Sequence, residues 1–145
     1  KTPEGDFVDK EGNYIGRHKG IIHYTIGQRR GLGIPAASRL YVCEISPKTN
    51  TVVLGDNADL FSSELEADSV NLISVDSLTE PKRVTAKIRY RHKEQPATAW
   101  QTPDGILHVK FDEPQRAITK GQAVVMYDGD VVVGGGVINK IYSQS

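Results

Sequence analysis

The sequence is poor in cysteine and contains no long apolar run. Cysteine occurs once in the chain, so neither an internal disulfide nor the thiolate cluster of a structural zinc site can form. No stretch approaches the roughly 20 apolar residues of a membrane span, and no secretory signal pattern opens the chain. These absences predict a cytoplasmic protein that has no membrane contact and is stabilised by burial alone.

Metal-binding and catalytic constellations are missing as well. His18 and His23 have no cysteine or acidic partner at metal-ligand spacing, so no metal site is expected. Cys43 lies between Val42 and Glu44 in a strand-like run, which favours a buried small hydrophobe over a nucleophile. No set of acid, base and nucleophile stands out, and we therefore expect no catalytic residue in this chain.

Charge is balanced in total but not along the chain. The sequence has 18 basic and 18 acidic residues. Residues 1–75 carry a net charge of −2 and residues 76–145 a net charge of +2, while residues 82–93 hold six basic residues and no acid. Because salt screens charges beyond about 8 Å, local clustering decides whether phosphates are attracted. The second half is therefore predicted to carry a basic patch.

The pattern of turns and apolar runs predicts a mainly β protein. Short turn signals separate β-branched and aromatic runs of strand length. These predicted strands cover residues 40–45, 51–54, 84–91, 106–111, 123–127 and 131–138. Helical periodicity is weak, with short helices conceivable only at 59–65 and 24–30. Asp128-Gly129 predicts a hairpin that pairs the last two strands, and the Gly134-Gly135-Gly136 run predicts a bend or close strand crossing.

A polar, proline-containing stretch near residues 76–82 predicts a domain boundary. The expected division is a central β domain over 1–76 and a C-terminal β-barrel domain over 77–145. Each part has fewer than about 80 residues, so each core is expected to be marginal.

Alternation along residues 84–91 predicts a stripe of cations. One face of this strand carries Val84, Ala86, Ile88 and Tyr90, and the other carries Thr85, Lys87, Arg89 and Arg91. Steps of two residues place the cations about 6.6–7 Å apart, a spacing that suits a sugar-phosphate backbone. Alternation points Tyr90 inward with Ile88 unless the strand ends before it. A solvated outer barrel face is the alternative interpretation.

The segment 16–34 combines five glycines, three arginines, a lysine and two histidines. Glycines at 27, 31 and 33 permit positive φ and close approach to another surface, and guanidinium groups donate to phosphate or carboxylate. The spacing matches neither a nucleotide P-loop nor a dinucleotide-binding fingerprint, so ATP binding by this segment alone is not expected. The segment is predicted to be a contact surface, although a tight loop with solvated arginines would fit the same pattern.

The run His-Tyr-Thr-Ile-Gly-Gln-Arg-Arg-Gly-Leu-Gly at 23–33 resembles the His-x-Thr-Ile-Gly-Gln-Arg-Lys-Gly-Leu-Gly signature of the tRNA-specific 2-thiouridylases. These bacterial enzymes place sulfur on the wobble uridine of certain tRNAs. Residues 5–9, 87–91, 111–125, 127–130 and 134–136 are similar to further motifs of that family, in the same order. The resemblance implies a small central β domain followed by a six-stranded barrel similar to domain 2 of translation elongation factors.

The resemblance also implies roles for individual residues. Arg89 would contact tRNA phosphate, Tyr90 would stack on or bond to an exposed nucleotide, and Gln122 would touch tRNA as well. From their charge and position, and not from the resemblance, Lys87 and Arg91 of the predicted stripe are expected on the same RNA-binding surface, which the neighbouring His92, Lys93 and Arg116 would extend. A separate loop would dock onto the catalytic domain and help to close the site around the flipped uridine; it consists of Gly27, Gln28, Arg29, Arg30 and Gly31.

In that family the ATP-using PP-loop domain and both sulfur-handling cysteines lie upstream. The resemblance therefore implies that the parent enzyme uses ATP, Mg²⁺ and a sulfur-donor protein, whereas this chain supplies tRNA grip and site closure without chemistry. A translation-factor-like barrel acting as a protein-interaction module is the main rival. A third hypothesis is a self-sufficient small enzyme, but no set of catalytic residues in the sequence supports it.

Overall fold

The computed structural model describes residues 3–35 and 39–143. That part of the chain contains ten β-strands and short 3-10 turns, with no α-helix. The strands are β1 (Gly5–Val8), β2 (Tyr14–His18), β3 (Tyr41–Ser46), β4 (Thr51–Gly55), β5 (Phe61–Leu72), β6 (Lys82–Lys87), β7 (Gln95–Gln101), β8 (Leu107–Arg116), β9 (Ala123–Asp128) and β10 (Val131–Ile141). The predicted mainly β fold is confirmed. No helix among the described residues is both long and apolar enough to cross a membrane.

The chain divides into two units, residues 1–61 and residues 62–145. This division falls earlier than the predicted boundary at 76/77, because residues 61–72 form β5, which pairs with β10 of the second unit. The stretch was difficult to assign from sequence, since polar residues fill most of it and only Leu65 and Ala67 are fully buried apolar positions.

Unit 1 is an open four-stranded sheet in the order β2-β1-β4-β3. The pair β1 and β4 is parallel, and the other two pairs are antiparallel. Its core contains Phe7, Tyr24, Leu32, Val42, Val52 and Leu54. Two of these residues, Tyr24 and Leu32, come from the glycine-rich segment between β2 and β3. No helix forms at 24–30, where the chain makes turns instead.

Unit 2 is a closed barrel in the order β10-β5-β8-β7-β6-β9, which confirms the predicted six-stranded barrel. Inward-facing side chains of all six strands fill its interior, among them Leu107, Val109 and Met126. The predicted pairing of the last two strands is confirmed, with Val131 opposite Asp128.

The three glycines of β10 lie close to the backbone of the neighbouring strands. A Cβ at Gly134 would stand 2.4 Å from the carbonyl oxygen of Asn71 in β5, and one at Gly135 would stand 2.2 Å from the carbonyl oxygen of Val124 in β9. Any larger side chain would push these strands apart, so the glycines permit barrel closure. Their predicted structural role is confirmed.

Candidate nucleic-acid interface

Two loops emerge at one end of the barrel and carry most of the predicted RNA-binding residues. Strand β6 ends at Lys87, and the antiparallel β9 begins at Ala123, with Lys87 opposite Val125. The loop 88–94 that follows β6 and the loop 117–122 that precedes β9 therefore lie side by side. We call these two loops, together with Lys87, the basic barrel end.

The strand that carries the predicted cation stripe is shorter than expected. Residues 84–91 were predicted to be one strand, but β6 stops at Lys87. Ile88 still enters the core, whereas the chain then turns, and the His92 N–H donates to the Arg89 carbonyl at 3.1 Å. Lys87, Arg89 and Arg91 consequently do not form a linear stripe. They are grouped around a turn at the barrel end.

Tyr90 lies outside the strand and is 90% exposed. The inward direction given by alternation does not apply, because the strand ends three residues earlier. Arg91 and Lys93 of the same loop are also exposed. A tyrosine ring in water beside two cations is available both for stacking on a base and for the phosphates around that base.

Arg89 has a different environment from its neighbours. Its guanidinium is half-buried and donates hydrogen bonds to the carbonyl oxygens of Ala117 and, at 3.3 Å, of Arg116. A third contact joins its Nη1 to Nε2 of His92 at 3.4 Å. Burial, and then the positive charge of Arg116, lower the pKa of the Arg89 guanidinium from its ordinary value. The side chain thus connects the loop 88–94 to the end of β8.

Lys87 precedes the loop 88–94, and Gln122 is the last residue of the loop 117–122. The Lys87 ammonium lies 5.8 Å from the centre of the Tyr127 ring, in the range of a cation–π contact. Gln122 is exposed, and its backbone is held by β10 because the Ile138 N–H donates to the Gln122 carbonyl at 2.9 Å. Gly121 precedes it with φ of 88°, a conformation suited to glycine.

The distribution of ion pairs concentrates unneutralised charge at the basic barrel end. Three cations elsewhere on the barrel face carboxylates: Lys82 with Asp128 at 2.9 Å, Arg83 with Asp112 at 2.7 Å, and Lys140 with Glu66 at 3.8 Å. Within the described residues no ion pair involves Lys87, Arg91 or Lys93. Of the six basic residues in 82–93, the four that face no carboxylate in the described chain all belong to the basic barrel end: Lys87, Arg89, Arg91 and Lys93.

Ala117 and Thr119 are two residues of this site that sequence patterns did not indicate. Ala117 is buried with φ of 59°, an unusual conformation for a residue with a Cβ. Its carbonyl accepts a hydrogen bond from the Thr119 hydroxyl at 2.9 Å as well as the one from Arg89. No sequence signal marks a positive φ at alanine, although the Thr-Lys-Gly turn that follows could have drawn attention to Thr119.

The predicted docking loop of unit 1 is held closed by Gln28. Its side-chain oxygen accepts from the Thr25 N–H at 3.0 Å, and its side-chain nitrogen donates to the Arg30 carbonyl at 2.9 Å. Gly27 and Gly31 have φ of 93° and 75°, the positive φ that glycines at these positions were predicted to permit. Gln28 thus faces its own loop, whereas Arg29 and Arg30 face solvent.

The same loop covers the outer edge of β3. The Gly27 N–H donates to the Val42 carbonyl and the Val42 N–H donates to the Gln28 carbonyl, both at 2.8 Å. The Gln28 N–H donates to the Thr25 carbonyl at 3.0 Å. These amide groups are already bonded, so they cannot cradle a phosphate as a nucleotide loop would.

His18, His23 and Cys43 have three different environments. His18 is buried, its Nδ1 accepts from the Gly20 N–H at 3.0 Å, and its Nε2 bonds to the Asn50 carbonyl at 2.8 Å, so both ring nitrogens are in use. His23 is exposed. Among the described residues, no group of three or more histidine, cysteine or acidic side chains could hold a metal ion. Cys43 is only half-buried, not fully buried as predicted, since a bulge interrupts β3 beside it.

Comparison with known proteins identifies both units. A family model described as the aminomethyltransferase beta-barrel domain matches residues 62–138, and one described as the tRNA methyl transferase PRC-barrel domain matches residues 1–56. The chain is 60% identical over 140 residues to the tRNA-specific 2-thiouridylase MnmA of Clostridioides difficile, and 57% identical over 134 residues to that of Acetivibrio thermocellus. The alignments cover 97% and 92% of this chain but 39% and 37% of those relatives. The chain therefore belongs to the family of tRNA-specific 2-thiouridylases.

Proposed function

We propose that this chain holds tRNA for the ATP-dependent 2-thiolation of the wobble uridine, position 34, in the cytoplasm. In this proposal the basic barrel end grips the RNA through Lys87, Arg89, Tyr90, Arg91 and Gln122. The names of the relatives support tRNA as the substrate, because each is called a tRNA-specific 2-thiouridylase.

The observation that carries the proposal is the exposure of Tyr90 among unpaired cations. A tyrosine that is 90% exposed gains nothing for the fold from its ring. Single-stranded RNA loops are recognised by stacking of splayed bases on such rings, with arginine and lysine on the neighbouring phosphates. Arg91 and Lys93 stand in the same loop and supply that charge.

The residues that the structure describes do not form a site for ATP or Mg²⁺. The amide groups of Gly27 and Gln28 already donate to carbonyl oxygens of unit 1, and the described acidic residues form no cluster for a divalent cation. We assign adenylation of the uridine and delivery of sulfur to an upstream catalytic domain and a sulfur-donor protein. The loop of Gly27, Gln28, Arg29, Arg30 and Gly31 would then dock onto that domain through its two outward arginines.

Binding of a fluorescently labelled tRNA to this chain over a series of salt concentrations tests the proposal. Affinity should fall with salt, because each phosphate contact releases counterions and contributes about −0.7 to −0.9 to the slope of log K against log salt. Arg91→Ala should reduce that slope by about one contact. Lys82→Ala is the matched control: it removes a cation from the opposite end of β6, where Asp128 already neutralises it, and it should leave the slope unchanged.

Two results would overturn this function. One is absence of tRNA binding at low salt, which would favour the protein-interaction module. The other is an equal loss of slope in Arg91→Ala and Lys82→Ala, since binding would then depend on total charge and not on the basic barrel end.

A further inference from the structure

His92 contacts Arg89 twice within the loop 88–94. Its backbone N–H donates to the Arg89 carbonyl at 3.1 Å, and its ring atom Nε2 lies 3.4 Å from Nη1 of the Arg89 guanidinium. The His92 side chain is exposed. The imidazole is therefore held at the surface of the basic barrel end, beside Arg89 and two residues after the exposed Tyr90.

The contact between the two side chains requires a neutral imidazole. A guanidinium has five N–H donors and no acceptor, so the lone pair of the His92 Nε2 is the acceptor in this contact. An imidazolium has a donor on both ring nitrogens and would face Arg89 with like charge. In the free chain His92 therefore accepts from Arg89 and carries its proton on Nδ1.

The charges around His92 are mostly positive. Arg91 and Lys93 are its exposed neighbours in the loop, and Arg89 lies in contact with it. A second positive charge on the imidazole is therefore opposed in the free chain, whereas a phosphate at this surface would favour it. The elements that adjoin the loop add further cations: Lys87 at the end of β6, Arg116 at the end of β8 and Lys120 in the loop 117–122.

The acids of these elements do not neutralise His92. Glu94 accepts a hydrogen bond from a threonine hydroxyl of β6 at 2.5 Å, Asp112 faces Arg83 at 2.7 Å, and Glu113 is exposed on β8. No ion pair in the described part of the chain joins a carboxylate to His92. A counter-ion for a charged imidazole would therefore come from a bound ligand.

We propose that His92 is a further phosphate ligand of the basic barrel end and that it binds RNA as the imidazolium, taking up one proton from solution when tRNA docks. The proton adds to Nε2, whose lone pair accepted from Arg89. The N–H of Nη1 in Arg89 is thereby released to donate to the same phosphate, while its Nη2 stays on the Ala117 carbonyl. This inference rests on the proposed tRNA-binding function and deepens it, because Arg89 and His92 would contact the RNA as a pair.

The pH dependence of tRNA affinity at constant ionic strength tests this pairing. An ordinary imidazole is about a quarter protonated at pH 7 and nearly neutral at pH 8. If tRNA selects the imidazolium, the titration of labelled tRNA should give an affinity about fivefold higher at pH 6 than at pH 8. The salt slope should also be steeper at pH 6, by up to one phosphate contact or about 0.7 to 0.9.

Three variants assign the effect to His92. His92→Gln keeps an acceptor for Arg89 but takes up no proton, so its affinity should be the same at both pH values and close to that of the wild type at pH 8. His92→Arg carries a permanent charge and should bind tightly at both values. His23→Gln is the matched control, since His23 is exposed in unit 1, and it should keep the wild-type pH dependence. Both positions are exposed, so circular dichroism spectra of the variants should match the wild type.

Calorimetry measures the proton directly. Isothermal titration of the chain with tRNA at pH 7, in two buffers of different ionisation enthalpy, should show uptake of about half a proton per tRNA. His92→Gln should remove this uptake, and His23→Gln should leave it unchanged.

The outcomes separate this inference from the function on which it rests. Equal wild-type affinity at pH 6 and pH 8, a pH dependence that persists in His92→Gln or is lost in His23→Gln, or a His92→Arg variant no tighter than the wild type at pH 8 would each overturn the role of His92 and leave tRNA binding intact. Absence of tRNA binding by the wild-type chain at both pH values and low salt would overturn the tRNA function, and the inference with it.

Discussion

The glycine-rich loop of unit 1 and the basic barrel end of unit 2 look alike in sequence, since both combine arginines with residues that favour turns. They differ in their relation to the hydrophobic core of their unit. In unit 1, Tyr24 and Leu32, which flank the loop, belong to a core of six buried hydrophobic residues in the described chain. Among the described residues of unit 2, the core has sixteen buried hydrophobic residues, and the loops of the basic barrel end contribute Ile88 and Ile118 to it.

Substitutions in the two regions should therefore have different consequences. In unit 1 the loop is part of the fold, so its alteration should reduce the free energy of unfolding. In unit 2 the barrel is largely complete without the side chains of its basic end, so their alteration should reduce binding. In both regions one polar side chain turns inward and holds the loop: Gln28 in unit 1 and Arg89 in unit 2.

Leu32→Ala should have the largest effect. Leu32 is 6% exposed although it stands between two glycines of an apparent surface loop, and truncating such a side chain should lower the free energy of unfolding by about 3 kcal/mol. Ile22→Ala is the matched control, since Ile22 is 72% exposed in the same segment and should change stability by less than about 0.5 kcal/mol. Urea denaturation followed by circular dichroism measures both. Equal effects would mean that the loop is not part of the core.

Tyr90→Ala should come next, and its effect should be on binding. Loss of one stacked base is worth about 2 kcal/mol, so tRNA affinity should fall about 30-fold with stability within about 0.5 kcal/mol of the wild type. Tyr14→Ala is the control because Tyr14 is 62% exposed in unit 1; it should leave affinity unchanged. If Tyr90→Ala lowered the stability and left the tRNA affinity unchanged, Tyr90 would belong to the fold of unit 2 and not to an RNA-binding surface.

Gln28→Ala should have a smaller effect, of about 1 kcal/mol on the free energy of unfolding, because two side-chain hydrogen bonds that close the loop are lost. Arg29→Ala, at the exposed next residue, should be neutral within about 0.5 kcal/mol. The same urea titration compares the two. If Arg29→Ala were the more damaging change, the arginine and not the glutamine would be the residue that holds this loop.

Local patterns predicted most of the fold and little of the site's geometry. Strand-length runs located β3, β4, β8, β9 and β10, because their inward positions are regularly apolar. Sequence alternation could not show that β6 ends at Lys87. Residues 88–91 continue the same alternation, yet the chain turns there and the Arg89 guanidinium bonds to a carbonyl 28 positions away. Long-range bonds of this kind leave no periodic signal.

The role of Gln28 could not be predicted either, because it depends on bonds that form only in the folded loop. A glutamine between glycine and arginine reads as a polar contact residue, and only the folded loop brings the Thr25 amide and the Arg30 carbonyl to its side chain. Strand β5 was not predicted, because its outward positions carry acidic residues and serines, a composition typical of a loop or a helix end. Its assignment required β10 as a partner.

The sheet of unit 2 closes into a barrel, whereas that of unit 1 is open. A substitution where β10 meets β5 should have the smallest effect on stability. Tyr142 follows β10, and its N–H donates to the Glu64 carbonyl of β5 at 3.0 Å. Its hydroxyl donates to the Glu66 carboxylate, and the Lys140 ammonium lies 4.8 Å from the ring centre. The hydrogen bond to Glu66, followed by burial, raises the pKa of Tyr142 from 10.0 to about 12.

A pKa that is raised in the folded state stabilises the protein while the hydroxyl keeps its proton. The contribution of Tyr142 should therefore be complete below about pH 10, decline as the pH rises from 10 towards 12, and be absent above that range. Tyr142→Phe removes this contribution at every pH, so the stability difference between wild type and variant should be constant up to pH 9 and shrink by pH 11.5. Urea denaturation at these two pH values measures it. A difference that stays constant would show that the hydroxyl of Tyr142 does not join β10 to β5 through Glu66.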